Sequence, residues 1–428
     1  KVYLYGQELN EKTYAICKSD LLMKGEDQNL DQQLFCGDTL ADDKLEGKTF
    51  NFMLANPPFG VDWGKDEKTK KRVMDDNCPG GRFEAGLPSS NDGSLLFLQH
   101  MIAKMDNTQG SRIGIVLNGS PLFNGDAGSG WSNIRKMLLD RNLLDCIVAL
   151  PKNLFYGTDI TTYLWILDNK RPAERSGKVL FINAAYAEYT RLLQKNLGKK
   201  RFEISDEGAA DILSLYSNYQ NATRNIVYDK TGEVECLEIA RLLDYDDFRY
   251  TNVATRRPLR HWFESITEKY RALCNTEGFD ANAKKNAILR DVASIDGIDV
   301  RRSDSEFFAC LKVHGVKFTA ADIKALRSAF ATVSDDAPEV REKPLDCNSD
   351  FVADTALNDT EKIPQKQDAD DYFAREVLPF APDAWMDRSK DKLGVEFPFT
   401  RLFYKYRPLR TADDILAELN SLDDSITL

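Results

Sequence analysis

The sequence holds no apolar run approaching the roughly 20 residues that a bilayer-spanning helix needs. Its opening residues, Lys1-Val-Tyr-Leu-Tyr-Gly-Gln-Glu8, lack the charged-then-apolar layout of a secretory leader, so no membrane association and no export are expected. Histidine is scarce. His100, His261 and His314 are the only three, with neither His-x-x-x-His nor His-x-Glu spacing, which argues against a zinc hydrolase or deaminase centre; no metal site is expected. The eight cysteines (Cys17, Cys36, Cys78, Cys146, Cys236, Cys274, Cys310, Cys347) are never closer than 19 residues, which excludes Cys-x-x-Cys pairs and a disulfide-dense framework. Reduced thiols fit a cytoplasmic protein. Internal repeats are absent too.

What is present is a chain of 428 residues, 42% hydrophobic, long enough for two or three domains and a sizeable core. The net charge of −11 runs against a nucleic-acid partner, but it is unevenly spread. Residues 335–372 hold twelve acids against four bases, which leaves only −3 for the rest of the chain. Four basic clusters stand in that near-neutral remainder: Lys68, Lys70, Lys71 and Arg72; Arg191, Lys195, Lys199, Lys200 and Arg201; Arg256, Arg257 and Arg260; and Arg401, Lys405, Arg407 and Arg410. Each of them also reads as an ordinary solvated face.

The first 185 residues alternate apolar runs with helical patterns. Strands are expected at 2–5, 33–36, 50–55, 112–117, 144–150, 161–167 and 179–183, and helices at 10–24, 94–105 and 131–141. Such alternation predicts an α/β fold with a doubly wound, mostly parallel sheet, whose ligands sit at the carboxyl ends of the strands. From about residue 203 the pattern becomes helical. The expected division is a catalytic domain over 1–200, a mostly helical region over 201–334, an acidic linker over 335–372 and a helical docking region over 373–428. In the last of these, Ile415, Leu419, Leu422 and Ile426 recur at spacings of four, three and four, one apolar seam suited either to the chain's own helices or to a partner.

The most informative residues are Asn56-Pro57-Pro58-Phe59, directly after the apolar run 50–55. Two prolines end the strand and stiffen the turn. The Asn56 side-chain oxygen and the Pro57 carbonyl then form a rigid acceptor pair suited to a planar amino group with two hydrogens. The lone pair of such a group is delocalised, so acceptors that meet it best as it becomes tetrahedral favour the transition state. Phe59 offers a ring on which a base can stack, worth roughly 1–3 kcal/mol. A proline-rich turn with a solvent-facing Asn56 is the plain alternative.

Asn-Pro-Pro-Phe in this setting resembles the catalytic signature of S-adenosyl-L-methionine-dependent methyltransferases acting on the adenine amino group. The segments at 112–117, 128–135 and 150–162, and those at 359–364, 375–379 and 394–404, resemble the modification subunits of type I restriction–modification systems, whose sheet is Rossmann-like. The likeness covers residues 1 to about 260 and about 355 to the end. It implies catalysis by Asn56, Pro57, Pro58 and Phe59, and cofactor contacts from Glu8, Asp38 and Asn56, with Glu8 on the ribose and Asp38 on the cofactor adenine. It implies a base pocket walled by Phe59 and Phe155. Duplex DNA, a specificity (S) subunit, a restriction (R) subunit and a second modification subunit are the implied partners, with the seam of Ile415, Leu419, Leu422 and Ile426 docking the S subunit. Glu8 and Asp38 also suit turn or cap roles, and Phe155 also suits loop packing.

Two features depart from the resemblance. The Asp-Pro-x-x-Gly-x-Gly loop and the central strand before it have no counterpart here, nor does the helical N-terminal domain. A truncated chain that binds S-adenosyl-L-methionine poorly is therefore expected, with the sheet lacking its first, central strand. Gly125, Gly128 and Gly130 do not follow dinucleotide spacing and read as a mobile loop ahead of a helix. The competing readings are a protein-glutamine amide methyltransferase, which can use a similar Asn-Pro-Pro turn, and a catalytically inactive structural subunit of a DNA-bound assembly.

Overall fold

A computed structural model describes residues 2–25, 30–228, 233–281, 283, 286–406, 411–412, 415–417 and 419. The chain divides into two units, residues 1–249 with 394–428, and residues 250–393.

The first unit opens with β1 (Gly6–Glu8), α1 (Glu11–Met23), α2 (Leu30–Gln33) and β2 (Leu34–Cys36). There follow β3 (Phe52–Ala55), α3 (Glu67–Asp75), α4 (Ser94–Ala103), β4 (Arg112–Leu117), α5 (Ser120–Phe123) and α6 (Gly130–Asp140). Next come β5 (Leu144–Leu150), β6 (Thr162–Asp168), β7 (Lys178–Asn183), β8 (Thr190–Leu197), β9 (Lys200–Ile204) and α7 (Asp206–Asn218). Finally β10 (Ala222–Tyr228) and β11 (Glu233–Asp244) complete a seven-stranded sheet of order β10-β11-β7-β5-β6-β4-β3.

Five of those seven strands run one way; β6 and β11 run against them. The eleven residues 151–161 that join β5 to β6 contain no helix, and so short a link sets neighbours antiparallel, because a parallel return needs a crossover of a dozen or more residues. Both faces are covered. α4 and α6 bury Leu95, Leu98, Ile134 and Leu138 against Ile113, Ile115, Leu117, Ile147 and Trp165 on one face, while Leu215 of α7 and Tyr219 just after it pack with Val148, Leu180 and Ile182 on the other. β4 shows the cause plainly: in Arg-Ile-Gly-Ile-Val-Leu, every second residue is apolar and wholly buried.

Several expectations are corrected. Residues 2–5 are exposed and belong to no strand; the ladder to β2 begins only at Gly6, opposite Leu34, and among the described residues no strand pairs with the apolar run ahead of it. β1 and β2 form a two-stranded parallel sheet of their own. β3 is an edge strand of the larger sheet, with Phe52 and Leu54 at 78% and 89% exposure. The sheet continues past residue 200, because β10 and β11 pair onto β7. Gly130 opens α6 in tight packing: a Cβ there would lie 1.8 Å from the Leu87 carbonyl oxygen, so only glycine fits, and the glycine run is a close-packed turn.

The second unit contains β12 (Arg249–Arg256), which starts at the boundary, β13 (His261–Phe263), α8 (Ile266–Cys274), α9 (Ala287–Ala293), β14 (Arg302–Ser303), α10 (Asp304–Val313) and α11 (Ala320–Phe330). β15 (Ala331–Val333), β16 (Asp359–Pro364), α12 (Ala369–Glu376) and β17 (Trp385–Val395), whose last two residues belong to the first unit, follow. Its helices enclose Phe263, Phe307, Phe308, Leu326 and Phe330. Asp304, almost wholly buried, is satisfied by His261 at 2.8 Å and by two donors of Arg327. The acidic stretch 335–372 is not a plain linker: Val340 is fully buried and is held by Leu259 and Val352 through 2.8 Å main-chain bonds.

Residues from Gly394 onward belong to the first unit, where Phe397 and Phe399, the latter opening α13 (Phe399–Phe403), stack into the core with Trp165, Phe181 and Phe248. Among the described residues no helix is long and apolar enough to cross a membrane.

Candidate active site

The pairing register defines one end of the large sheet. β3 and β4 are parallel, Leu117 at the end of β4 faces Tyr163 near the start of β6, and Thr162 faces Leu150 at the end of β5. The turns after β3, after β4 and between β5 and β6 therefore share this end. They carry Asn56-Pro57-Pro58-Phe59, the Asn118-Gly119-Ser120 turn, and the loop 151–161 with Phe155.

In the first turn Pro57 is buried, Pro58 exposed and Phe59 half-buried, and Gly60 reverses the chain with φ of 65°. Asn56 is exposed, and its side-chain amide makes no hydrogen bond among the described residues. An asparagine in a turn ordinarily bonds its own backbone. Here the two prolines that follow carry no N–H, so the amide is left to a ligand or to water.

Glu8 ends β1 half-buried, with Oε1 accepting from the Asn10 N–H at 2.7 Å and Oε2 without a hydrogen bond among the described residues. Asp38 follows β2 and is more committed. Its Oδ1 accepts from the Leu40 N–H at 2.8 Å, and its Oδ2 from the Thr69 hydroxyl at 2.6 Å, which ties the turn to α3. Arg82 fixes the same turn by donating to the Thr39 and Leu40 carbonyls. No hydrogen bond joins Glu8 or Asp38 to the Asn56 turn among the described residues. Phe155 is half-buried and pairs with Thr158 across a narrow bend.

Two residues at this end escape the sequence reading. Asn118 follows β4 as Asn56 follows β3; its amide donates weakly to Asp92 at 3.4 Å while its Oδ1 is buried with no partner. The hydroxyl of Thr162, at the start of β6, is likewise buried and unpaired. A polar residue set immediately after an apolar run was the available signal for Asn118. Beside them Tyr163 is largely buried, which raises its phenol pKa, a hydrogen bond with Thr400 partly opposing the effect.

Of the proposed docking residues, Ile415 and Leu419 are exposed, and the Ile415 N–H donates to the Thr411 carbonyl as in a helical turn. Leu422 and Ile426 lie outside the described residues. A cavity of about 530 Å³ lies elsewhere, around Lys48, Thr49 and Met105 at the amino end of β3, where ion pairs of Lys104 with Asp43 and Arg82 with Asp76 line it. Those charges satisfy one another, and the cavity is not joined to the Asn56 turn.

A protein-family model described as N-6 DNA Methylase matches residues 1–246. The chain is 29% identical over 223 residues to the type I restriction enzyme MjaVII methylase subunit of Methanocaldococcus jannaschii, covering 52% of this chain and 36% of that protein. It is 31% identical over 232 residues to the MjaVIII methylase subunit of the same organism, covering 51% and 37%. With the MpnII methylase subunit of Mycoplasma pneumoniae it shares 24% identity over 322 residues, covering 70% and 52%. The chain thus spans between about a third and a half of the length of these relatives. A solved type I methyltransferase subunit from Streptococcus thermophilus aligns with 27% identity over 57% of this chain and 45% of its own, at a TM-score of 0.44.

Proposed function

The chain belongs to the N-6 DNA methylase family, and from that premise we propose that it is the modification subunit of a type I restriction–modification system. In this reading it transfers a methyl group from S-adenosyl-L-methionine to the exocyclic nitrogen of an adenine in a specific duplex sequence. The observation that carries the proposal is the uncommitted Asn56 amide on a proline-stiffened turn at the carboxyl end of β3.

The target nitrogen is out of reach inside the base stack, so the adenine is flipped out at a cost of a few kcal/mol. Asn56 Oδ1 and the Pro57 carbonyl accept its two amino hydrogens, and that pull restores nucleophilic character to the nitrogen as it becomes tetrahedral. Phe59 stacks on the ring and Phe155 forms the second wall. The free oxygen of Glu8 fits a ribose-binding acid. Asp38, with both oxygens engaged, fits better as the residue that shapes the cofactor side of the site. When bound, S-adenosyl-L-methionine would supply an electrophilic methyl on a sulfonium, whose S–C bond breaks as the N–C bond forms so that a neutral thioether leaves and the surplus amino proton passes to solvent, and the chain needs no nucleophile of its own.

The partners in this reading are an S subunit that reads the sequence, a second modification subunit and an R subunit, with the seam of Ile415, Leu419, Leu422 and Ile426 facing the S subunit. The exposure of Ile415 and Leu419 supports that role. Incubation with methyl-labelled S-adenosyl-L-methionine, an S subunit and duplex DNA tests the reaction. Label recovered as N6-methyladenine is the expected result. Label on protein glutamine points to the amide methyltransferase, and no transfer at all to a structural subunit.

A further inference from the structure

The four basic clusters differ in what their charges face. Arg256, Arg257 and Arg260 are neutralised within the second unit by Asp387, Asp383 and Glu339. On α3, Lys70 pairs with Glu67, and Arg72 with Glu46 and Asp76, while Lys68 and Lys71 have no acidic partner within 4.0 Å among the described residues. In the terminal group Lys405 pairs with Glu235, Arg401 has no acidic partner within 4.0 Å among the described residues, and Arg407 and Arg410 lie outside the described residues.

Among the described residues the β8–β9 hairpin holds the most cations without an acidic partner. Residues 190–204 carry five bases and one acid in a chain of net charge −11. Arg191 is paired with Glu203 at 2.7 Å and Lys199 with Asp159 at 3.2 Å, but Lys195, Lys200 and Arg201 have no acidic partner within 4.0 Å among the described residues. The two strands form a sheet of their own, and Leu192 and Leu197 on β8 are exposed.

The hairpin is also fastened to the loop that holds Phe155. The Lys199 and Arg201 N–H groups donate to the Tyr156 and Asn153 carbonyls, each at 2.9 Å, and the Asn153 amide donates back to the Lys199 carbonyl at 3.2 Å. Gly198, with φ of 60°, lets the hairpin turn lie on Tyr156; a Cβ there would stand 2.8 Å from the Tyr156 carbonyl oxygen. Three unneutralised cations are thus held to the same end of the sheet as the Asn56 turn.

We propose that the β8–β9 hairpin is a phosphate-gripping arm for duplex DNA, with Lys195, Lys200 and Arg201 contacting the backbone beside the flipped base. This rests on the reading of the chain as a DNA adenine methyltransferase. Surface cations without an acidic partner match a polyanion, while ion-paired ones have little left to give.

The test is a salt titration of the full chain against a labelled non-specific duplex of about 30 base pairs. The triple variant Lys195→Gln, Lys200→Gln, Arg201→Gln is expected to bind at least ten-fold more weakly at low salt, with the log–log salt slope reduced by roughly 0.9 for each phosphate no longer neutralised. Charge-retaining swaps, Lys195→Arg, Lys200→Arg and Arg201→Lys, restore both. A charge-matched control in the second unit, Lys312→Gln, Lys317→Gln, Lys324→Gln, leaves both unchanged. A triple variant with the wild-type slope overturns the proposal, as does a wild-type chain without salt-dependent duplex binding. Methyl transfer is assayed in parallel with the S subunit present. Its absence alongside a hairpin effect on binding supports the arm and removes the catalytic reading; its presence with no hairpin effect removes the arm alone.

Discussion

The hydroxyl of Thr69 lies 2.6 Å from Asp38 Oδ2 and 2.8 Å from Asp66 Oδ2, and its one proton, shared between the two acceptors, joins the turn after β2 to the helix that follows the Asn56 turn. Thr69 is almost wholly buried, and Asp38 also caps its own turn through the Leu40 N–H. The acid that the family resemblance assigns to the cofactor therefore has a structural task first. Asp38→Ala is expected to destabilise the first unit by about 1–3 kcal/mol with no cofactor added, and Thr69→Val by about 1–2 kcal/mol. Urea unfolding measures both. Wild-type stability in Asp38→Ala would return the residue to a purely ligand-binding role.

His100 sits buried on α4 with Nδ1 3.0 Å from an Arg82 guanidinium nitrogen, near Lys104, Asp43 and Asp76. Burial, aided by the two nearby cations against the pull of the two acids, pushes its pKa down to about 4. The unfolded chain takes up this proton near pH 6.5 while the folded chain refuses it until about pH 4, so stability falls as pH drops through that window. Between pH 7.5 and 5 the loss attributable to His100 comes to about 2 kcal/mol. In His100→Gln that part of the pH dependence disappears, which urea midpoints at the two pH values measure.

Arg135, wholly buried on α6, donates to the carbonyls of Val395 at 2.6 Å, Pro121 at 3.0 Å, Asn124 at 2.9 Å and Gly125 at 3.2 Å. One side chain thereby fastens the segment after β4 and the returning C-terminal segment to the same helix. Arg135→Met keeps the volume but orphans several buried acceptors, and a loss of at least about 3 kcal/mol is expected, visible as a lowered Tm. A Tm within a degree of wild type would contradict it.

At the terminal seam, the double change Ile415→Glu, Leu419→Glu is expected to abolish co-purification with the S subunit while leaving the chain soluble and folded by circular dichroism. Both side chains are exposed, so their replacement leaves the core packing intact. An undiminished complex refutes the docking role.

How much of this was legible in the sequence varies with the force that shapes each part. β4 and β5 lie where the apolar runs placed them, because β5 is buried on both faces and β4 on one, and burial dictates their pattern. β8 and β9 were not read: their exposed, charged residues carry no period-two apolar signal, and their strand form comes from pairing with each other. The direction of β6 is set by the length of its link to β5 rather than by its own residues. The Asn56 turn was legible because two prolines after an apolar strand leave few conformations open. Asn118 was missed because a lone asparagine gains meaning only once its oxygen is seen to be buried without a partner.

The central claim is that Asn56 acts on the adenine amino group rather than on DNA binding. Its most direct test compares Asn56→Ala with wild type, in complex with an S subunit, by single-turnover methyl transfer and by duplex affinity. The account predicts that the transfer rate falls at least about a hundred-fold, as on losing one transition-state acceptor, while duplex affinity changes less than about three-fold. Equal losses in rate and affinity, or an unchanged rate, would contradict it.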